Sequence, residues 1–223
     1  MKLKLFMKMI CALVVGFVIA ALLLFLPVGT INYPNAWLFL ALLFVPTTGV
    51  GIVLLIKDPK LLEKRMNLKE KQKTQKGVVG LSSLILIIGF VMTALDFRYG
   101  WSEMTRWQVV EASLLFLFGY GLYIEVLREN KYLSRIVEVQ EGQKIIDTGL
   151  YSIVRHPMYL ATIMIFLSMP LILGSTYALL VFMFYPFLIT KRIKNEEEVL
   201  EKGLEGYKEY KKKVKFRLIP YIW

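Results

Sequence analysis

Arg155, His156 and Pro157 stand in a row where an apolar run begins. Proline is favoured in the first turn of a helix and pushes the residue before it out of the helical conformation. We therefore expect His156 to precede a helix start, where unpaired amide N–H groups and the positive end of the helix dipole can seat a carboxylate or a phosphate. The alternative is an interfacial histidine that only satisfies its own hydrogen bonds.

A second polar group, with Arg192 and Glu196, follows the next apolar run. Gly174 and Ser175 have turn chemistry and separate the two runs. His156 lies eighteen residues before Gly174, and Arg192 lies seventeen after Ser175, each about 26 Å of helix. Antiparallel arms of equal length return to the same depth, so the two polar groups are predicted to meet.

The three acidic residues of the second polar group have two possible interpretations. Glu196, Glu197 and Glu198 could form a solvated acidic turn paired with Arg192 and Lys194, or they could line a site together with the histidine. The sequence has one His and one Cys, which leaves no histidine cluster or disulfide framework, and a His-rich metal site is therefore excluded.

The elements that must position these residues are apolar helices. Of the 223 residues, 57% are apolar, against about 45–50% in a soluble domain. A spanning helix needs about 20 apolar residues. Four segments meet this length, and two shorter arms follow them: 9–26, 36–56, 77–95 and 107–127, then 157–173 and 176–190. We predict an all-α integral membrane bundle of about six passes.

The basic residues support this arrangement. All but Arg98 and Arg106 of the 28 Lys and Arg residues lie in the terminal segments or the loops that six passes put on one side. Lys and Arg accumulate on the cytosolic side, so both termini are predicted to be cytosolic. The same pattern accounts for the net charge of +11, which removes nucleic acid as a partner. The membrane would be the inner membrane of a prokaryote or the endoplasmic reticulum of a eukaryote.

We divide the chain into residues 1–128, with four spanning helices, and residues 129–223, a cofactor-binding catalytic region. The basic loop 57–76 carries Leu61, Leu62, Met66 and Leu68 at near-helical spacing, which predicts a short interfacial helix. A docking patch for an acidic partner or an anionic lipid is the alternative for this loop.

Two acids, Glu111 and Glu125, fall inside the fourth span. Charged residues at this depth usually face the bundle interior or water. Either both reach interfacial water, or Glu125 lies at the cytosolic mouth of a site.

The region from residue 130 onwards carries an ordered set of motifs. They are Gly149-Leu150-Tyr151, Arg155-His156-Pro157-Met158-Tyr159, Arg192-Ile193 with Glu196, Glu197 and Leu200, Tyr207 with Tyr210, and Ile219-Pro220. In these motifs the chain resembles the isoprenylcysteine carboxyl methyltransferase family and the related phospholipid methyltransferases. These are integral membrane enzymes that use S-adenosylmethionine.

The resemblance implies S-adenosylmethionine as the cofactor and assigns roles to individual positions. It implies cofactor contacts from Gln140, Gln143, Lys144, Ile145, Ile146, Tyr151, His156, Pro157, Met158, Tyr159 and Glu196. Arg192 resembles the arginine that orients the substrate in the family. One position departs from the pattern: Ala161 stands where the family usually has glycine, which bears on how closely the backbone can approach a neighbour.

Each implied role has a physical reason. A carboxylate such as Glu196 attracts a sulfonium cation, and a tyrosine ring offers a π face. A substrate carboxylate is already a nucleophile at neutral pH, so Arg192 need only hold it in line with the methyl group. An amine nucleophile would instead need a base, with His156, Glu125 or Glu197 as candidates.

The predicted function is therefore a membrane methyltransferase that acts on an amphipathic, lipid-like or prenylated substrate at the cytosolic face. Carboxyl O-methylation is preferred over N-methylation of a phospholipid head group. A nicotinamide-dependent membrane reductase and a non-catalytic membrane protein remain as alternatives from other classes.

Overall fold

The structure, a computed structural model, describes residues 2–67, 70 and 72–223. Within these residues the chain is helical and contains no strand. The helices are α1 (Lys2–Val28), α2 (Pro34–Lys57), α3 (Pro59–Met66), α4 (Lys73–Tyr99), α5 (Arg106–Glu129), α6 (Pro157–Ile172), α7 (Thr176–Phe182), α8 (Tyr185–Gly203) and α9 (Tyr207–Lys213). A 3₁₀ turn spans Gly149–Ser152. The predicted all-α bundle is confirmed.

Five helical stretches of the described chain are long and apolar enough to cross a membrane. They are α1, α2, α4, α5 and the consecutive pair α7–α8. The sixth predicted pass, α6, is apolar but has 16 residues, or about 24 Å of helix. The chain is an integral, multi-pass membrane protein, while the cytosolic orientation of its termini stays a prediction.

The core lies where α1, α2, α4, α5, α6 and α7 meet. Its fully buried side chains come from each of these helices, among them Phe39, Ala94, Phe116, Ile172 and Phe182. Many large apolar side chains point outward instead, as expected for helices that face hydrocarbon. This core fixes α6 against the rest of the bundle and so sets the position of its first turn.

Ala161 stands where the family usually has glycine, and the facing helix α5 has a glycine, Gly119, at this contact. A Cβ added at Gly119 of α5 would lie 3.1 Å from the Ala161 carbonyl oxygen and 3.2 Å from Met164 Cβ. The close approach of α5 and α6 is therefore provided by Gly119, and the methyl group of Ala161 is accommodated with no exposed surface.

The turn between α6 and α7 is held at a fixed place. Ser175 Oγ accepts a hydrogen bond from Ala178 N at 3.0 Å and donates one to Asp96 of α4. The Tyr33 hydroxyl donates to the Leu173 carbonyl at 2.5 Å. The predicted Gly174-Ser175 turn is present, and its anchors on α2 and α4 make the two arms a rigid hairpin.

The second arm of the hairpin is not continuous. The apolar run 176–190 predicts an uninterrupted helical arm. The apolar stripe of Ile193, Leu200, Leu204, Tyr207 and Val214 predicts that this helix continues past residue 200. Instead, α7 ends at Phe182 and α8 begins at Tyr185, because Pro186 in the first turn of α8 cannot donate the backbone hydrogen bond that a continuous helix needs. The continuation also breaks between Gly203 and Tyr207, where Gly206 adopts a left-handed conformation with φ of 80°.

A short helix, α3, lies within the basic loop as predicted. Asp58 precedes it, and its carboxylate accepts a hydrogen bond from Leu61 N at 3.0 Å. Leu61 and Leu62 are buried. Leu68, the fourth apolar residue of the predicted pattern, lies outside the described residues.

Candidate active site

The open ends of the hairpin bring the two polar groups together. Glu197 of α8 is 3% exposed and lies among cations that converge on its two oxygens. Oε1 accepts from Arg155 Nε at 2.8 Å and lies 3.2 Å from His156 Nε2, and Oε2 accepts from Arg217 Nε at 2.9 Å. We call these four residues the Glu197 cluster.

The Glu197 cluster also ties the C-terminal segment to the start of α6. Arg155 N donates to the Phe216 carbonyl at 3.0 Å, and His156 N donates to the Arg217 carbonyl at 2.9 Å. Arg155 Nη1 adds hydrogen bonds to the carbonyls of Val214 and Lys215. Since Pro157 starts α6, the two residues before it lie outside the helix and are free to pair in this way.

Glu196, next to Glu197 on α8, has different partners. The Tyr159 hydroxyl donates to Glu196 and accepts from Arg192 Nε at 2.9 Å. Arg192 Nη2 donates to the Arg135 carbonyl at 2.6 Å. Three of the predicted residues therefore form one hydrogen-bonded group that joins α6, α8 and the linker before α6.

A cavity of about 870 Å³, including its open mouth, lies against this group. Ten of the predicted site residues line it: Gln143, Lys144, Ile145, Ile146, Tyr151, His156, Met158, Tyr159, Arg192 and Glu196. We call it the polar cavity.

Two predicted residues lie outside the lining of the polar cavity. Gln140 donates through Nε2 to the Tyr132 carbonyl at 2.5 Å, and its backbone N donates to Gln143 Oε1 at 2.9 Å. Pro157 is buried in the first turn of α6. Gln140 thus shapes the linker that forms one wall, and the roles of both residues in cofactor binding stay predictions.

The Gly149-Leu150-Tyr151 motif is held by a carboxylate that the sequence did not single out. Both oxygens of Glu129, at the end of α5, accept from Leu150 N, at 3.2 and 3.0 Å. A Cβ at Gly149 would lie 1.7 Å from Glu129 Oε1, and its φ is 55°, so only glycine fits there. Asn130 Nδ2 donates to the Tyr151 hydroxyl at 2.9 Å, which fixes that ring at the cavity wall.

Two further tyrosines line the polar cavity, although the sequence indicated them only as parts of a motif. Burial raises the pKa of Tyr207 and Tyr210 well above the usual value, so both stay neutral phenols. The Tyr210 hydroxyl donates to the Tyr151 carbonyl at 2.7 Å. The Tyr207 hydroxyl is buried and has no hydrogen-bond partner among the described residues.

Tyr207→Phe is expected to weaken ligand binding in the polar cavity without loss of stability. An unpartnered buried hydroxyl costs about 1–3 kcal/mol, whereas a hydrogen bond to a bound ligand contributes about 0.5–1.5 kcal/mol. The midpoint of thermal unfolding of the empty protein should therefore stay constant or rise, while S-adenosylhomocysteine binds roughly three- to tenfold more weakly by calorimetry.

Tyr210→Phe is the matched control, because its hydroxyl is already bonded to the Tyr151 carbonyl. This variant should unfold at a lower temperature. A Tyr207→Phe variant that loses stability and binds the ligand as before would contradict the assignment of its hydroxyl to a ligand.

The acids considered as bases are occupied elsewhere. Glu125 pairs with Arg128 at the end of α5, at 2.5 and 2.8 Å, and does not line the polar cavity. Glu197 is enclosed by its cations and does not line the polar cavity either. Among the described residues, no group of three or more His, Cys, Asp or Glu side chains could hold a metal ion.

Comparison with known proteins identifies the segment that carries this geometry. Residues 112–202 match the model of the isoprenylcysteine carboxyl methyltransferase (ICMT) family. The matched segment runs from α5 through the linker and the hairpin to α8. It contains every predicted site residue, and the resemblance noted in the sequence is confirmed for this part of the chain.

The curated proteins to which the chain is similar are named as sterol reductases and not as methyltransferases. It is similar to the Delta(14)-sterol reductase TM7SF2 of Mus musculus, with 31% identity over 85 residues, 37% of this chain and 20% of the relative. It is also similar to the Delta(14)-sterol reductases of Methylotuvimicrobium alcaliphilum, at 24% identity, and Arabidopsis thaliana, at 28%. These two matches cover 54% of this chain and 32% and 36% of the relatives. The chain therefore spans about a third or less of the length of these relatives.

Proposed function

We propose that this protein is an integral membrane methyltransferase that uses S-adenosylmethionine and methylates the carboxyl group of an amphipathic, lipid-like substrate at the cytosolic face of the membrane. The match of residues 112–202 to the ICMT family supports a membrane methyltransferase. The observation that carries the proposal is the polar cavity at the open end of the hairpin, where Glu196, Tyr159 and Arg192 meet.

The polar cavity has the groups that S-adenosylmethionine would need. Glu196 supplies negative charge for the sulfonium, and Tyr151 and Tyr159 offer aromatic faces. The linker residues 143–146 present backbone groups for the adenine edge. The unpartnered Tyr207 hydroxyl is a donor and acceptor that a bound ligand could satisfy. When bound, the cofactor supplies an electrophilic methyl group on sulfur.

Arg192 is placed to hold the methyl acceptor. Its guanidinium is fixed on two sides, by the Tyr159 hydroxyl and the Arg135 carbonyl, so its planar fork has one orientation. A carboxylate held by this fork needs no base, since it is already ionised at neutral pH. Because Glu125 and Glu197 are both paired with cations, an amine acceptor would find neither free as a base. His156, the third candidate base, lines the polar cavity, so the preference for O-methylation rests on the fixed fork of Arg192.

A nicotinamide-dependent reductase is the second candidate, favoured by the sterol reductases among the relatives. Thermal unfolding in detergent separates the two. A ligand at 100 times its Kd adds about 2.7 kcal/mol of stability. We expect S-adenosylmethionine and S-adenosylhomocysteine to raise the unfolding temperature by several degrees and NADPH to leave it unchanged. Stabilisation by NADPH alone would overturn the proposal.

Matched variants on α8 sharpen this test. Glu196→Gln removes the negative charge at the polar cavity and should abolish the stabilisation by the adenosyl compounds. Glu198→Gln makes the same change at an exposed position two residues away and should bind them as the unchanged protein does. Equal responses of the two variants would mean that Glu196 does not attract the sulfonium.

A further inference from the structure

A second cavity lies in the membrane-spanning part of the bundle, between α1, α2, α3 and α5. It measures about 930 Å³, including its open side, and we call it the apolar groove. Apolar side chains form most of its wall, among them Met9, Leu13, Phe44, Val50 and Leu127. Two hydroxyls in its wall, on Thr47 and Tyr120, bond to each other at 2.6 Å. The groove therefore suits a hydrocarbon chain.

Among the residues that the structure describes, Arg65 of α3 is the one charged side chain in the wall of the apolar groove. Its Nη2 donates to the Tyr123 hydroxyl at 2.8 Å, and its Nη1 donates to the Ser134 carbonyl at 3.1 Å. Nη1 also lies 3.8 Å from Met158 Sδ. Since Ser134 and Met158 line the polar cavity, the guanidinium of Arg65 lies at the boundary between the two cavities.

The charge at this boundary is positive and incompletely matched. Arg65 Nε is buried and has no hydrogen-bond partner among the described residues. Burial lowers the pKa of Arg135, and the positive charges of Arg65 and Arg192 lower it further, so both of these guanidinium groups are close enough to repel that of Arg135. The carboxylates of Glu196 and Glu70 lie close enough to Arg192 to offset part of this positive charge there. An anionic group entering here would relieve the repulsion.

We infer that Arg65 selects the substrate by binding the carboxylate of a single-chain amphiphile whose hydrocarbon tail occupies the apolar groove. The Nε edge of its guanidinium supplies the donor that lacks a partner, and the groove starts at the same side chain. Met158, which Arg65 contacts, also lines the polar cavity together with Arg192. The choice of a carboxylate over another anion rests on the proposed function; the acidic amphiphile site rests on the groove and Arg65 alone.

Equilibrium binding of radiolabelled palmitate and methyl palmitate to the full chain in phosphatidylcholine nanodiscs tests this inference. Both probes have the same tail, but only palmitate has a charged head. We expect the unchanged protein to prefer palmitate about tenfold over the ester. Arg65→Gln should remove that preference and leave the binding of methyl palmitate unchanged, which also shows that the variant is folded.

Two further variants complete the test. Lys60→Gln makes the same change of charge at an exposed position of α3 and should keep the preference for palmitate. Ala12→Trp fills the apolar groove, which Ala12 lines, and should weaken the binding of both probes. Equal losses in Lys60→Gln and Arg65→Gln would show general electrostatic attraction and overturn the inference, as would undiminished palmitate binding by Arg65→Gln.

Two controls separate this inference from the proposed function. Lys60→Gln, which changes a residue outside both cavities, should bind S-adenosylhomocysteine as the unchanged protein does; if no form of the protein binds it while palmitate binding still depends on Arg65, the proposed function fails and the acidic amphiphile site stands. Hexadecyl phosphate is the second control. Tighter binding of this probe than of palmitate, with the same dependence on Arg65, would overturn the choice of a carboxylate.

Discussion

Glu197→Ala is expected to lower the free energy of unfolding by about 3–5 kcal/mol, the usual cost of leaving a buried charge without its partner. The side chains of Glu197 and Arg155 are 3% and 4% exposed, so water cannot replace the lost carboxylate. Arg217 would lose its ion pair as well, which leaves the C-terminal segment held to the start of α6 by hydrogen bonds to its backbone carbonyls. Denaturant titration in mild detergent, followed by tryptophan fluorescence, measures the change.

The control for Glu197→Ala is its exposed neighbour. Glu198→Ala removes the same number of atoms and the same charge on the same helix and should change the stability by no more than about 0.5 kcal/mol. Glu197→Gln keeps the shape of the side chain and should fall between the two. If Glu197→Ala and Glu198→Ala have the same free energy of unfolding, the Glu197 cluster does not stabilise the protein.

Arg192→Lys is expected to reduce methyl transfer by about a hundredfold or more while S-adenosylhomocysteine binding stays within a few-fold of its original value. Lysine keeps the charge but lacks the planar fork that holds a carboxylate in two places. A misplacement of about 1 Å at a reacting centre can cost a hundredfold in rate. Transfer of a labelled methyl group from S-adenosylmethionine to a farnesylated cysteine analogue measures the rate, and calorimetry measures the binding.

The contrast with Glu196→Gln makes the Arg192 prediction specific. The variant at position 196 should lose binding of the adenosyl compound, whereas the one at position 192 should keep it and lose turnover. Loss of binding in both variants would show that Arg192 belongs to the cofactor site and does not act on the acceptor.

The hairpin could be predicted because its geometry is local. Equal arm lengths about Gly174 and Ser175 place His156 and Arg192 at one depth, and the structure brings both to the wall of one cavity. Counting along a helix gives depth but not direction. It could not show that Glu196 faces the polar cavity whereas its neighbour Glu197 is enclosed by cations.

Other residues that hold the site in place could not be predicted from the sequence, because they come from distant parts of the chain. Asp96 holds the hairpin turn from α4, and Glu129 holds the glycine turn from the end of α5, although neither belongs to a motif. A carboxylate at the end of a spanning helix has many ordinary roles, and sequence alone does not choose among them. Arg65 was counted with the basic loop, since only the fold shows that its guanidinium reaches the bundle interior.

The C-terminal segment has a consequence for any effort to transplant this site into another protein. The matched family segment stops at residue 202, yet Leu204, Tyr207 and Tyr210 complete the cavity wall, and Phe216 and Arg217 clasp the first turn of α6. A transplanted segment that ended at residue 202 would lack one wall of the polar cavity. The transplanted segment must therefore extend at least through Arg217.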